Sequence, residues 1–209
     1  MLLMKTKILN TDSIKYLQDK ENYSLPTIIT GIPDMDEVNM EEGQYIKWFE
    51  NVCDIIYKKV KKDEYCIFIQ TDRKVNGKWI DKSFYLQKVA KENGIHLLWH
   101  KIVLYRPVNS IHLQRPTYGH MLCFSYLNGP GKQFPDVIEG NKKLYKNGTS
   151  IEPLNYVMKF CNEKGVKVII DPFAGYGTIS YMAKKYNISS LAIDIDKECV
   201  EKIKENLIQ

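Results

Sequence analysis

Arginine is scarce in this chain. Of 30 basic residues only Arg73, Arg106 and Arg115 carry a guanidinium, and all three fall between residues 73 and 115. Planar, bidentate grip on a phosphate or carboxylate needs that fork, so such recognition is concentrated in one stretch. Cysteine is sparse and unpaired in spacing: Cys53, Cys66, Cys123, Cys161 and Cys199 form no Cys-x-x-Cys motif. That excludes a zinc-knuckle pattern and reads as reduced thiols of an intracellular protein, cytoplasmic or nuclear. No apolar run approaches the ~20 residues of a membrane span, and Met1-Leu2-Leu3-Met4-Lys5 is too short for a signal peptide. Repeats, low-complexity tracts and long linkers are lacking too. No three residues form a metal or nucleophile constellation, so no metal is expected. What remains is 209 residues, 44% hydrophobic and 26% charged, with a formal charge of +5. These are the proportions of one globular domain, basic enough to permit nucleic-acid binding without establishing it.

The richest stretch is Val168-Ile169-Ile170-Asp171-Pro172-Phe173-Ala174-Gly175-Tyr176-Gly177-Thr178. A β-branched run ends in an acid, a Gly-x-Gly turn follows, and a helix opens at Thr178. Glycine lets the backbone approach a ligand closely at the carboxyl end of a parallel strand. A second strand, at 190–193, ends in another acid, Asp194, and an acid at that point can accept both hydroxyls of a ribose. The combination predicts a nucleoside-type cofactor. The third glycine of a dinucleotide fingerprint is missing, and so is the Gly-Lys-Ser/Thr of a phosphate loop.

The string Asp-Pro-Phe-x-Gly-x-Gly-Thr at 171–178 resembles the first motif of S-adenosylmethionine (SAM) dependent methyltransferases, in particular those that modify exocyclic amines of nucleic-acid bases. In most such enzymes the motif opens the domain, whereas here it lies near the end of the chain. This order is similar to a circularly permuted group, with the catalytic half first and the cofactor half last. The resemblance implies an α/β, Rossmann-like sheet of seven mostly parallel strands, one of them antiparallel, in a single domain over 1–209. The catalytic half would span 1–126, a mobile connecting loop 127–150 and the SAM-binding half 151–209. It implies that Asp12, Thr30, Asp171, Pro172, Phe173, Gly175, Gly177, Thr178 and Asp194 bind SAM, with Asp12 at the adenine and Asp194 at the ribose. The strand leading to Asp12 should lie beside the one ending at Asp194, and the strand ending at Thr30 beside the one ending at Asp171.

Periodicity places further strands at 7–9, 27–30, 65–69, 96–105 and 120–126, the last two as an antiparallel pair at the sheet edge. Helices are predicted at 13–20, 42–61, 82–92, 153–162, 178–186 and 197–207. The family's catalytic motif, Asp/Asn/Ser-Pro-Pro-aromatic, should follow the 27–30 strand. Gly31-Ile32-Pro33-Asp34 stands there, keeping one proline and no acceptor at the first position. Pro33, Asp34 and Asp36 are the catalytic candidates, with Asp34 orienting or deprotonating the target or else capping a helix. Substrate contacts are expected from Gln70, Asp72, Arg73 and Lys74, on the same sheet edge, and from Tyr118 and His120. Arg73 is the candidate phosphate grip. The short 127–150 segment leaves no room for a recognition domain. The expected partner is therefore nucleic acid, RNA favoured over DNA, with help from a protein partner possible. A small-molecule or protein methyltransferase, or an inactive RNA-binding subunit, are the alternatives.

Overall fold

The computed structural model describes residues 6–19, 24–129, 134–140, 142–145 and 148–208. Its centre is an eight-stranded sheet in the order β1-β10-β9-β2-β3-β7-β6-β8. The strands are β1 (Thr6–Asn10), β2 (Thr27–Thr30), β3 (Tyr65–Gln70), β6 (His96–Leu104), β7 (Tyr118–Ser125), β8 (Val137–Glu139), β9 (Val168–Asp171) and β10 (Ser189–Asp194). β7 runs antiparallel to β3 and β6, and the other pairings are parallel. A separate hairpin joins β4 (Arg73–Val75) to β5 (Lys78–Ile80).

The expected neighbours are adjacent: β1 pairs with β10 and β2 with β9. The strand count differs from seven. The additional strand, β8, lies in the segment read as a mobile loop. Ile102 N–H donates to Asp136 O at 2.8 Å and Gly140 N–H to Leu104 O at 2.7 Å, which clamps this segment along β6. Residues 130–133, 141 and 146–147 of that segment lie outside the described residues.

Alternation along the strands sorts side chains to two faces. Along β3, Cys66 and Phe68 enter one core while Tyr65, Ile67 and Ile69 enter the other. The first face is covered by α1 (Ser13–Gln18), α3 (Glu42–Lys59) and α4 (Lys82–Glu92). Helix α3 buries Tyr45, Phe49, Val52, Cys53 and Ile56, one stripe at 3.6-residue spacing. The second face is covered by α5 (Ile151–Glu163) and α6 (Thr178–Lys185), and α7 (Lys197–Ile208) packs Ile203 against Ala192 of β10 and Ile8 of β1. A one-turn helix, α2 (Met35–Val38), precedes α3 and was not anticipated. No helix among the described residues is long and apolar enough to cross a membrane.

This layout fixes where a ligand can sit. The chain leaves β9 toward β10 on one side and leaves β2 toward β3 on the other, so the order reverses between β2 and β9. In parallel α/β sheets the crevice beyond the carboxyl ends at such a reversal is the binding place.

Candidate active site

A cleft of about 840 Å³ opens beyond the carboxyl ends of β9, β2 and β10. One end is acidic, lined by Asp12, Asp171, Asp194 and Asp196; the other mixes Lys82, Arg106, Arg115 and Lys143 with Asp34 and Glu37.

At the acidic end the strand-turn-helix segment folds as its residues require. Gly175 and Gly177 hold positive φ values of 51° and 81°, a region that suits glycine. Their roles differ. A Cβ on Gly175 would point into open space, whereas one on Gly177 would come within 2.9 Å of Ile203 on α7. Gly175 thus keeps a bare backbone facing the cleft, and Gly177 lets α7 close onto the turn. Asp194 Oδ2 accepts from Gly175 N–H at 2.7 Å and Oδ1 from Asp196 N–H at 2.9 Å, so the second acid shapes the loop of the first. Burial, with the nearby Asp196, leaves its carboxyl above the ordinary value.

Asp171 is fully buried, and its pKa is pushed up to about 7 by loss of solvation. Thr30 Oγ1 donates to it at 2.8 Å and Phe173 N–H at 3.2 Å, both favouring the charged form. Thr30 is itself buried and is not among the residues lining the cleft. Its hydroxyl positions Asp171, and Gly177 likewise stands behind the lining. Asp12, Pro172, Phe173 and Thr178 do line the cleft. Asp12 serves as well as the cap of α1, accepting from Ile14 N–H at 2.9 Å. Trp48 on α3 meets Phe173 edge-on, ring centres 6.4 Å apart, and adds an apolar wall. In the sequence, Trp48 is legible only as one apolar position of the helix at 42–61.

The other end is held by ion pairs. Asp34 caps α2 through a capping box with Glu37. Its Oδ1 accepts from Lys82 Nζ at 3.0 Å, and Arg115 Nη2 stands 2.8 Å from its Oδ2. Burial drives the Asp34 carboxyl up, but Lys82 and Arg115 outweigh it and hold the group below its ordinary value. A carboxylate so stabilised is a weak proton acceptor at neutral pH, which favours orienting over deprotonating among its expected roles. Pro33 lines the cleft, its carbonyl accepting from Tyr45 Oη at 3.0 Å. Gln70 Nε2 donates to Ile32 O at 3.1 Å and braces the same loop.

The remaining substrate candidates are engaged elsewhere. Arg73, with its side chain 14% exposed, is paired to Asp36. That pair occupies the expected phosphate grip and the third catalytic candidate together. Asp72 accepts from Lys82 N–H, Trp79 Nε1 and His120 Nε2 at 2.9–3.0 Å. His120 then meets His100 at 2.9 Å, and Tyr118 packs edge-on against the His120 ring. Lys74 Nζ donates to His112 O at 3.1 Å. None of Asp36, Asp72, Arg73, Lys74, Tyr118 and His120 is among the lining residues. Asp72, Asp81 and His120 bring ligand atoms within 4.8 Å of one another, and Asp72 and His120 are themselves hydrogen-bonded at 3.0 Å. The arginines that do reach the cleft are Arg106 and Arg115, flagged in the sequence only by their rarity.

No family model matches the chain. A 40-residue stretch, 19% of this chain and 13% of the relative, is 45% identical to the type II methyltransferase M.HpaI of Haemophilus parainfluenzae. Among solved structures, the PvuII DNA methyltransferase (cytosine-N4-specific) superposes with a TM-score of 0.71 at 15% identity, over 98% of this chain and 86% of that one. M1.HpyAVI in complex with SAM gives 0.65 at 16% identity, over 97% and 100%. A candidate DNA modification methylase of Thermus thermophilus, complexed with S-adenosyl-L-methionine, gives 0.71 at 14% identity, over 96% and 92%. At these identities the likeness shows a shared fold: this chain is built, over nearly its whole length, like those methyltransferases.

Proposed function

We propose that the protein is a SAM-dependent methyltransferase acting on an exocyclic amine of a nucleic-acid base, with DNA the first substrate to test. The observation that carries this reading is one cleft that joins a glycine turn ringed by Asp12, Asp171 and Asp194 to a second set of groups in which Arg106 and Lys143 stand beside the ion-paired Asp34. Bound at the acidic end, SAM supplies an electrophilic methyl group on a sulfonium. The chain's residues fit that group. Gly175 offers bare backbone, and Asp194 stands where ribose hydroxyls can donate to its remaining lone pairs. Asp12 is placed for the adenine amine, and Asp171 puts a carboxylate near the cationic methionine end. Pro172, Phe173 and Thr178 complete that wall.

Pro33 and Asp34 line the same cleft beside Lys82 and Arg115. Asp34, charged at neutral pH, accepts a hydrogen bond from the target amine and stabilises the positive charge that builds on nitrogen as the methyl arrives. It orients and takes no proton: the N–CH3 bond forms as the S–CH3 bond breaks, leaving S-adenosylhomocysteine, and the surplus proton on nitrogen passes to solvent. Arg106 and Lys143, which are not paired to a carboxylate among the described residues of the site, draw in the phosphate backbone. The names of the fold neighbours favour DNA over RNA. The short segment 127–150 favours a target presented by its own folded shape, as in RNA, or by a protein partner. The whole chain works as one unit, catalytic half first, which corresponds to a circular permutation of the usual methyltransferase order.

The test is transfer of tritium from methyl-labelled SAM to duplex DNA and, separately, to total RNA, with nucleoside mass spectrometry of the product. N4-methylcytosine or N6-methyladenine in DNA is the expected outcome. A methylated RNA nucleoside would move the substrate to RNA. SAM binding with no transfer to either polymer would defeat the nucleic-acid reading.

A further inference from the structure

The loop from Arg106 to Thr117, between β6 and β7, carries three large apolar side chains in almost full contact with solvent. Val108 is 73% exposed, Ile111 88% and Leu113 86%. Leaving such groups in water forgoes the stabilisation of burying them, and a cluster at the rim of a cleft marks a contact surface. The loop is not slack. Lys74 N–H donates to Gln114 O at 3.0 Å and Lys74 Nζ to His112 O at 3.1 Å. His112 Nδ1 accepts from Gln114 N–H and Arg115 N–H at 3.3 and 3.2 Å, and Ser110 N–H closes a turn onto Pro107 O at 3.1 Å. The apolar tips are therefore held out by a shaped backbone, which lowers the entropy lost on binding. The same loop contributes Arg106, His112 and Arg115 to the cleft. An apolar tip flanked by cations, continuous with a site for a base, matches a stack of bases between two phosphate backbones.

We propose that this loop is a wedge: Ile111 and Leu113 enter the base stack of a duplex and hold the gap left when the target base turns into the cleft. Arg106 grips the adjoining backbone. The wedge rests on the nucleic-acid reading above. Its role is to offset unstacking, which a paired base must undergo and an unpaired one need not.

That difference supplies the test. Wild-type protein and the Ile111→Ser/Leu113→Ser variant are given methyl-tritiated SAM with 40-mer DNA of random sequence, either annealed to its complement or as separated strands. Thermal unfolding checks that the variant folds; both positions are exposed, so its midpoint should be unchanged. The variant should transfer methyl groups to duplex at least tenfold more slowly and to single strands within twofold of wild type. Equal loss on both forms, or no loss on duplex, overturns the wedge. So does gel filtration in which wild type self-associates and the variant does not, since the patch is then a face between copies of this chain. If wild type labels neither form of DNA while total RNA is labelled, the duplex-DNA wedge falls but the methyltransferase reading stands. If it labels no nucleic acid at all, both fall.

Discussion

At the scale of single residues, Asp171 is where burial and hydrogen bonding oppose each other most directly. Its pKa stands at about 7, against an ordinary 3.8, in a fully buried setting. The folded protein therefore holds this proton more tightly than the unfolded chain. The group's contribution to stability is fully present below pH 3.8 and is lost as the pH rises through about 7. A cationic ligand has the reverse preference, since it favours the ionised form. SAM affinity should rise with pH and level off above about pH 7, weakening by up to about tenfold per pH unit below that. Calorimetry across pH checks this, and Asp171→Asn should flatten the profile. Thr30→Val should cost about 1 kcal/mol of stability. Because the Thr30 hydroxyl favours the charged form, its loss should also move the midpoint of the affinity profile upward. A profile unmoved by Thr30→Val would mean that Thr30 does not position Asp171.

At the scale of elements, two junctions can be separated by mutation. In the turn between β9 and α6, Gly177→Ala pushes a methyl group against Ile203 of α7 and should destabilise the protein by roughly 1–3 kcal/mol. Gly175→Ala meets open space. It must still hold a φ of 51°, so it should cost about 1–2 kcal/mol of backbone strain without the added clash of Gly177→Ala, while weakening SAM binding. Urea denaturation beside calorimetry distinguishes the two glycines. The second junction ties α2 to α4 through Asp34 and Lys82, whose side chains are 6% and 2% exposed. Asp34→Ala strands a buried ammonium and should cost about 3–5 kcal/mol, so loss of turnover in that variant alone says little about chemistry. Adding Lys82→Met should restore most of the stability in urea denaturation. Turnover of that double variant, set against Lys82→Met alone, then reports on Asp34 itself.

At the scale of the whole molecule, attraction of nucleic acid should come from cations that are not already neutralised. Arg106→Ala and Lys143→Ala should each reduce by about one the slope of log affinity against log salt for duplex DNA, measured by fluorescence anisotropy. Arg73→Ala should leave that slope unchanged, because Asp36 already holds its guanidinium. This contrast marks how far the sequence could be read. Strand and helix positions were legible because apolar spacing of two and 3.6 residues reflects burial. The cofactor turn was legible because its glycines and acids are consecutive in sequence. β8 was not, since three residues within a Pro-, Gly- and Lys-rich tract become a strand only by pairing with β6. The pairing of Arg73 with Asp36 was equally hidden, as it joins two loops that meet only in the fold. The β4–β5 hairpin did leave a sign in Asn76-Gly77, whose φ values of 48° and 77° suit a two-residue turn. The sheet order also bears on how the protein is made. The Asn10 side chain bonds the carbonyls of Asp194 and Ile195, 184 and 185 positions further on, and β2 likewise has β9 as its neighbour on that side. At ribosomal speeds of about 5–20 residues per second, β1 waits roughly ten to forty seconds for β10 to be synthesised. For most of that interval β2 presents a bare apolar edge, open to pairing with another nascent chain. On a crowded polysome, the half-made sheet is where this protein most needs a chaperone.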